Sequence, residues 1–212
     1  MKSLFKLICL STLLFPFSHI VNSYDYEYKS LNMVYSDGYK EAPPTKYSNT
    51  CKIAIAAVVD DRLNKDTIGI TAFGPILTSN TSEWAYNGII NLKSFGYEIS
   101  ENANSIPTKG ILIKPTITRS YTWNIGMKIF GMVVIKTDFI NKDGVIQTKT
   151  YRAHGDKTNM WGAASEHIVT LNYALNNVLP VMAEDLTTLC SGNKVSMRSY
   201  SGTKGNKEKL EN

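Results

Sequence analysis

The sequence predicts an α+β fold, a mixed and mostly antiparallel sheet with two helices packed on one face as a two-layer sandwich. Three observations carry that expectation. Residues 111–153 hold three β-rich runs in series, and Asn141-Lys142-Asp143-Gly144 between two of them marks a tight hairpin. Ile168, Leu171, Leu175, Val178, Met182, Leu186 and Leu189 repeat at helical spacing over about six turns. A shorter stripe of Ala85, Ile89, Leu92 and Phe95 repeats in the same way and stops at Gly96.

In chain order, residues 1–23 read as a signal peptide. Lys2 and Lys6 precede the apolar stretch 7–17, and Val21-Asn22-Ser23 places small residues where a signal peptidase cuts. Cys9 follows only a few apolar residues, so it lacks the setting of a lipid-modified cysteine. No transmembrane helix is expected after cleavage. Residues 24–50 read as an extended, loosely held arm rich in tyrosine; Tyr24, Tyr26 and Tyr28 alternate, and the Pro43-Pro44 pair argues against regular pairing.

The domain is expected over 51–190. Its first run, Cys51 to Arg62, is almost unbroken and apolar and predicts a covered central strand. A second strand over 68–73 should end at Gly74-Pro75. The first helix starts among Ser79, Asn80, Thr81 and Ser82, with Glu83 suiting the positive helix end. After Gly96, Tyr97-Glu98-Ile99 reads as a return strand. Strands over 111–121, 127–140 and 145–153 form a meander with a further hairpin at Gly126. In the long helix, Pro180 should kink or split the element near Asn177. Residues 191–212, rich in Gly, Ser and Lys, read as a basic disordered tail.

Charge excludes one class of partner. The net charge is +5, yet residues 24–190 hold 16 of the 23 basic and 16 of the 18 acidic residues. The excess lies in the leader and the tail, so no nucleic-acid partner is expected. Once the leader is removed, Cys51 and Cys190 remain, and in an oxidising compartment an even pair reads as one structural disulfide. The competing reading, a free cysteine nucleophile, lacks a Cys-Gly or Cys-His context.

Several motifs carry a resemblance. Val-Val-Asp-Asp-Arg ending the first run, Ile68-Gly69, Phe95-Gly96-Tyr97-Glu98-Ile99 and Leu171-Asn-Tyr-Ala-Leu-Asn-Asn-Val-Leu179 with Asp185 resemble the YajG family of bacterial envelope lipoproteins, over roughly residues 51–189. The resemblance implies a non-enzymatic envelope component. The departure is the absent lipobox, which places membrane anchoring in question.

Enzyme chemistry finds little support. The histidines are His19, His154 and His167, and no Gly-x-Ser-x-Gly elbow is present. Ser165 and His167 stand two apart at a helix start and point to different sides. His154-Gly155-Asp156 offers a base and an orienter, but reads more simply as a strand end and a turn. Metal and cofactor are both expected to be none.

Binding candidates are Asp60 and Arg62, which could pair with each other or meet a ligand, and the aromatic residues Tyr121, Trp123 and Trp161. The expectation is an exported accessory or binding protein without catalysis, periplasmic or secreted, with or without outer-membrane association. Its partner would be an envelope protein, a lipid or a cell-wall component. The alternatives are a secreted hydrolase using His154 and a secreted host-interaction protein using the arm.

Overall fold

A computed structural model describes residues 30–37, 45–47, 51–71, 74–158 and 163–202. The expected signal peptide, the Tyr24-Tyr26-Tyr28 alternation and Trp161 lie outside the described residues.

Among the described residues the chain is α+β, a nine-stranded mixed sheet with two α-helices. Three long antiparallel strands form its frame: β6 (Gly110–Ile125), β7 (Lys128–Asn141) and β8 (Gly144–Thr158). Both expected hairpins are present, with Gly126 at φ 57° and Gly144 at φ 117°, left-handed conformations that side chains resist.

Short strands line the other edge of β6. β1 (Lys52–Ile55), β2 (Val59–Asp60) and β3 (Thr67–Thr71) pair with it in parallel, one after another along its length. The expected unbroken run over 51–62 is therefore two strands. Ile55 faces Ile113 and Val59 faces Thr116, so the run carries one residue more than its partner and must bulge between them. Gly74-Pro75 does not end the second strand but opens β4 (Gly74–Leu77), which returns antiparallel against β3 at the sheet edge, where a proline is tolerated.

Helix α1 (Thr81–Ile90) passes into a 3-10 turn (Asn91–Phe95) that Gly96 ends at φ 95°. Ala85, Ile89, Leu92 and Phe95 are buried, as their spacing predicts. The return strand is only β5 (Ile99–Ser100), parallel to β1. Helix α2 (Ser165–Cys190) is one continuous element, not split at Pro180. Pro180 is exposed while Leu179, Met182, Ala183 and Leu186 are buried, so the packed side of the helix holds across the lost hydrogen bond.

α2 lies on β6, β7 and β8, and α1 packs against α2 through Trp84, whose Nε1 donates to Asn172 Oδ1 at 2.7 Å. The helix approaches the sheet closely because Gly155 faces it. A Cβ there would stand 2.4 Å from Thr170 O. β8 accordingly runs four residues past His154, to Thr158, instead of turning at His154-Gly155-Asp156 as the sequence reading expected.

The described residues of two flanking segments, 30–37 and 191–202, are more ordered than composition implies. Within the expected arm, Met33 is buried, Asn80 Oδ1 accepts from Met33 N, and Asn172 Nδ2 donates to Val34 O. Within the expected disordered tail, β9 (Arg198–Ser201) joins β8 in parallel. The Gln147 amide leads it in, donating to Val195 O at 2.5 Å and accepting from Val195 N at 3.1 Å. A side chain thus supplies ladder bonds that no composition rule foresees. Cys51 and Cys190 are disulfide-bonded with Cα atoms 5.9 Å apart, tying the start of β1 to the end of α2.

Candidate functional site

The register of the three long strands sorts their side chains onto two faces. Ser120, Thr122, Gly131, Val133, Ala153 and Gly155 share the inner face, under α2. Their neighbours form rows on the outer face, turned away from α2. One row is Arg119, Val134, Arg152 and Tyr200, the next is Tyr121, Met132 and His154, and the third is Trp123, Phe130 and Asp156.

An aromatic band results. Ring centroids of Tyr121 and Trp123 lie 5.3 Å apart, those of Trp123 and Phe130 5.7 Å, and those of Trp123 and His154 5.8 Å edge-on. The His154 ring continues to Tyr200 at 5.2 Å, and the Arg152 guanidinium stands 5.6 Å from the Tyr200 centroid. Tyr121 and Tyr200 are 39% and 45% exposed, and the hairpin tip beyond Trp123 carries Ile125 at 63% and Met127 at 65%. Rings and large aliphatic side chains together facing water are an unusual use of a sheet surface.

The charge on this face is uneven. By register it carries Lys114, Arg119, Lys128, Lys136, Arg152 and Arg198 against Asp138 and Asp156. The charge-neutral body read from the sequence conceals this local basic excess. Burial first, and the neighbouring Arg152 charge second, lower the His154 pKa from its ordinary value. Its Nδ1 is buried without a hydrogen-bond partner.

Asp60 and Arg62 pair with each other. Arg62 Nε and Nη2 donate to the two carboxylate oxygens at 2.9 and 2.8 Å. The buried guanidinium also donates to Thr67 O, Lys65 O and Thr81 Oγ1. These contacts join the ends of β2, β3 and α1 around one cation, and they leave few donors for a ligand. Arg62 also lines a cleft of about 480 Å³ shared with Leu63, Asn64, Ile70, Arg119 and Tyr121. The structure therefore brings Arg62 and the Tyr121-Trp123 pair to one neighbourhood.

Sequence reasoning missed the polar groups under α2. Lys149 is 2% exposed, and its Nζ meets Asp185 Oδ2 at 2.6 Å while the Tyr151 hydroxyl donates to the same oxygen at 2.7 Å. Burial, then Asp185, raise the Tyr151 pKa, so the phenol stays a donor. The available signal was Asp185 standing among the apolar positions of the last turns. Asn172 and Asn176, one helical turn apart in the motif quoted above, hold residues 34–36, and Asn177 Nδ2 donates to His154 O. At the other end of α2, His167 Nδ1 lies 2.6 Å from Thr122 Oγ1, whose hydroxyl donates to Ile68 O. That network assigns the proton to Nδ1 and leaves buried Nε2 as an unpartnered acceptor.

Among the described residues, no group of three or more His, Cys, Asp or Glu is placed to hold a metal ion. No described helix is long and apolar enough to cross a membrane.

No protein-family model matches this sequence, and no curated protein matches it. Among solved structures, the fold is similar to a Xanthomonas campestris protein of the family designated DUF330. The TM-score is 0.50 at 10% identity, over 77% of this chain and 93% of that one. A minor lipoprotein from Acinetobacter baumannii is also similar, with TM-score 0.37 and 10% identity over 68% of this chain and 96% of that one. For lipoprotein GNA1162 from Neisseria meningitidis the values are 0.32 and 8%, over 68% and 99%. The likeness to the Xanthomonas campestris protein, at 10% identity, speaks for the fold alone.

Proposed function

We propose that this chain is an exported accessory protein of a bacterial envelope, of the YajG-like kind, that works by binding rather than by catalysis. The observation that carries the proposal is the aromatic band on the outer face, where Tyr121, Trp123, Phe130, His154 and Tyr200 stand within ring-contact distance of their neighbours. In this reading the two helices and the sheet form a two-layer sandwich, and the sheet's second face is the working surface. The Cys51–Cys190 disulfide supports an oxidising compartment such as the periplasm. The lipoprotein neighbours agree with an envelope location, with or without outer-membrane association.

The test is fractionation of cells expressing the full chain. Protein recovered from the periplasm or medium should lack residues 1–23, and its mass without reductant should show Cys51 and Cys190 joined. A Tyr121→Ser/Trp123→Ser double variant should keep its fold and disulfide but lose association with the envelope fraction. The opposing reading, a hydrolase using His154, predicts turnover of ester, glycan or peptide substrates that His154→Ala abolishes; that result would overturn the proposal.

A further inference from the structure

The two tight turns of the meander do the same backbone work with opposite chemistry. At the β7–β8 end the turn is Asn141-Lys142-Asp143-Gly144, polar as water-facing turns usually are. At the β6–β7 end it is Ile125-Gly126-Met127-Lys128. Only Gly126 is required there by the backbone, at φ 57°, and a Cβ on it would meet nothing within 4 Å. Ile125 and Met127 stand largely exposed on a tip in open space, so packing does not account for them.

We propose that this tip is a lipid-contact element, in which Ile125 and Met127 enter the boundary between headgroups and acyl chains of a bilayer. The inference rests on the binding-surface reading above and names what that surface meets. Register places Ile125 on the outer face in line with Trp123 and Tyr121. Alternate residues on a strand lie about 7 Å apart. Moving back from the tip, the surface passes from aliphatic side chains to the Trp123-Phe130 pair and then to Tyr121. That order matches the profile of a membrane interface, aliphatic groups deepest and Trp or Tyr at headgroup level.

Charge agrees with the orientation. Lys128 closes the turn with its side chain 55% exposed, and Arg119 and Arg152 stand behind the aromatic band. Asp156, paired with Lys128 at 3.3 Å, is the acid of that end of the face. The excess of cations suits anionic headgroups. A second copy of the chain is the weaker occupant, because two tip side chains fall far short of the ~800 Å² per partner that stable interfaces bury. A bilayer needs only shallow penetration.

The experiment uses the full chain with phosphatidylcholine–phosphatidylglycerol vesicles whose acyl chains carry bromine near the headgroup. Tryptophan emission is read with and without bromine, and a Trp123→Phe variant isolates the contribution of Trp123; Trp84 is buried in the core. Quenching of Trp123 is expected, reduced about fivefold or more in an Ile125→Asp/Met127→Asp variant. It should also weaken in pure phosphatidylcholine and at high salt. Both substituted residues are exposed, so an unchanged melting curve for the variant is the control. Absent quenching in the parent, or equal quenching in the variant, overturns the inference. So does co-sedimentation without quenching, which the apolar stretch 7–17 would explain. Envelope association that depends on Tyr121 and Trp123 but shows no quenching overturns the inference while leaving the binding-surface reading in place.

Discussion

The inner and outer faces of one sheet are built from the same three strands, and they use their exceptional residues in opposite ways. The inner face is apolar, and its exceptions are polar groups that bind the fold together: Lys149 paired with Asp185, and His167 held by Thr122. The outer face is basic and polar, and its exceptions are rings and aliphatic side chains that face water. The two faces are committed to different tasks. The buried Lys149, Tyr151 and Asp185 under α2 find their polar partners within the chain, whereas Ile125, Met127, Tyr121 and Tyr200 stand open to water. Substitutions should therefore separate, with stability effects on the inner side and binding effects on the outer.

The largest stability effect belongs to the disulfide at the α2 end. Closing a loop of 139 residues stabilises by about 4 to 5 kcal/mol in the chain-entropy model. Denaturant midpoints of the oxidised chain and of a Cys51→Ser/Cys190→Ser variant measure it, and lipid or partner binding by the refolded variant should be unaltered. Next comes Asp185→Ala, which strands the Lys149 ammonium in the core. Removing one partner of a buried pair costs about 3 to 5 kcal/mol, while replacing both by apolar residues costs far less. A double-mutant cycle with Lys149→Met and Asp185→Leu checks this. If the double variant is as unstable as Asp185→Ala, the pair is not the inner face's polar tie.

The sheet frame was legible because its signals are local. Asp143-Gly144 forces a hairpin, Gly96 ends a helix at positive φ, and the stripes of both helices are buried as their periods require. What escaped detection depends on distant partners. The 51–62 run looks continuous because the extra residue that splits it is counted only against β6. Residues 191–202 look like a solvated tail because the Gln147 amide that docks them lies 48 residues away. Asp60 and Arg62 were visible as a pair, but the carbonyls and hydroxyl that complete the guanidinium's partners were not. The aromatic band was half visible: Tyr121, Trp123 and Phe130 come from one hairpin, whereas Tyr200 reaches it through a strand the composition disguised.

A smaller effect comes from pH and again divides the faces. Burial lowers the His167 pKa in the folded state, with the neighbouring Glu166 opposing. The groups facing it are Thr122 from β6 and, through Glu166, Lys157 from β8. The unfolded chain then binds the proton more readily than the folded one. This contribution to stability is complete above the unfolded value of about 6.5 and is lost as pH falls through it toward the lower folded value. His154 shifts in the same direction on the outer face. Melting temperature against pH should flatten in His167→Gln, and a smaller flattening is expected in His154→Gln, whose ring borders the surface. Equal flattening in both would mean that the two faces are alike in their dryness.

The smallest stability effect is expected at Tyr121. Tyr121→Ser removes one ring contact, the 5.3 Å approach to Trp123, from a residue already 39% exposed. An aromatic pair contributes about 0.5 to 1.5 kcal/mol beyond burial, and exposed substitutions usually change stability by less than about 1 kcal/mol. Chemical denaturation of the disulfide-bonded variant should show a midpoint close to the parent's with an unchanged slope. Association with the envelope fraction should fall nonetheless, since Tyr121 joins the cleft beside Arg62 to the aromatic band. A loss of several kcal/mol would instead make the band a second core, and the faces would then differ in composition but not in purpose.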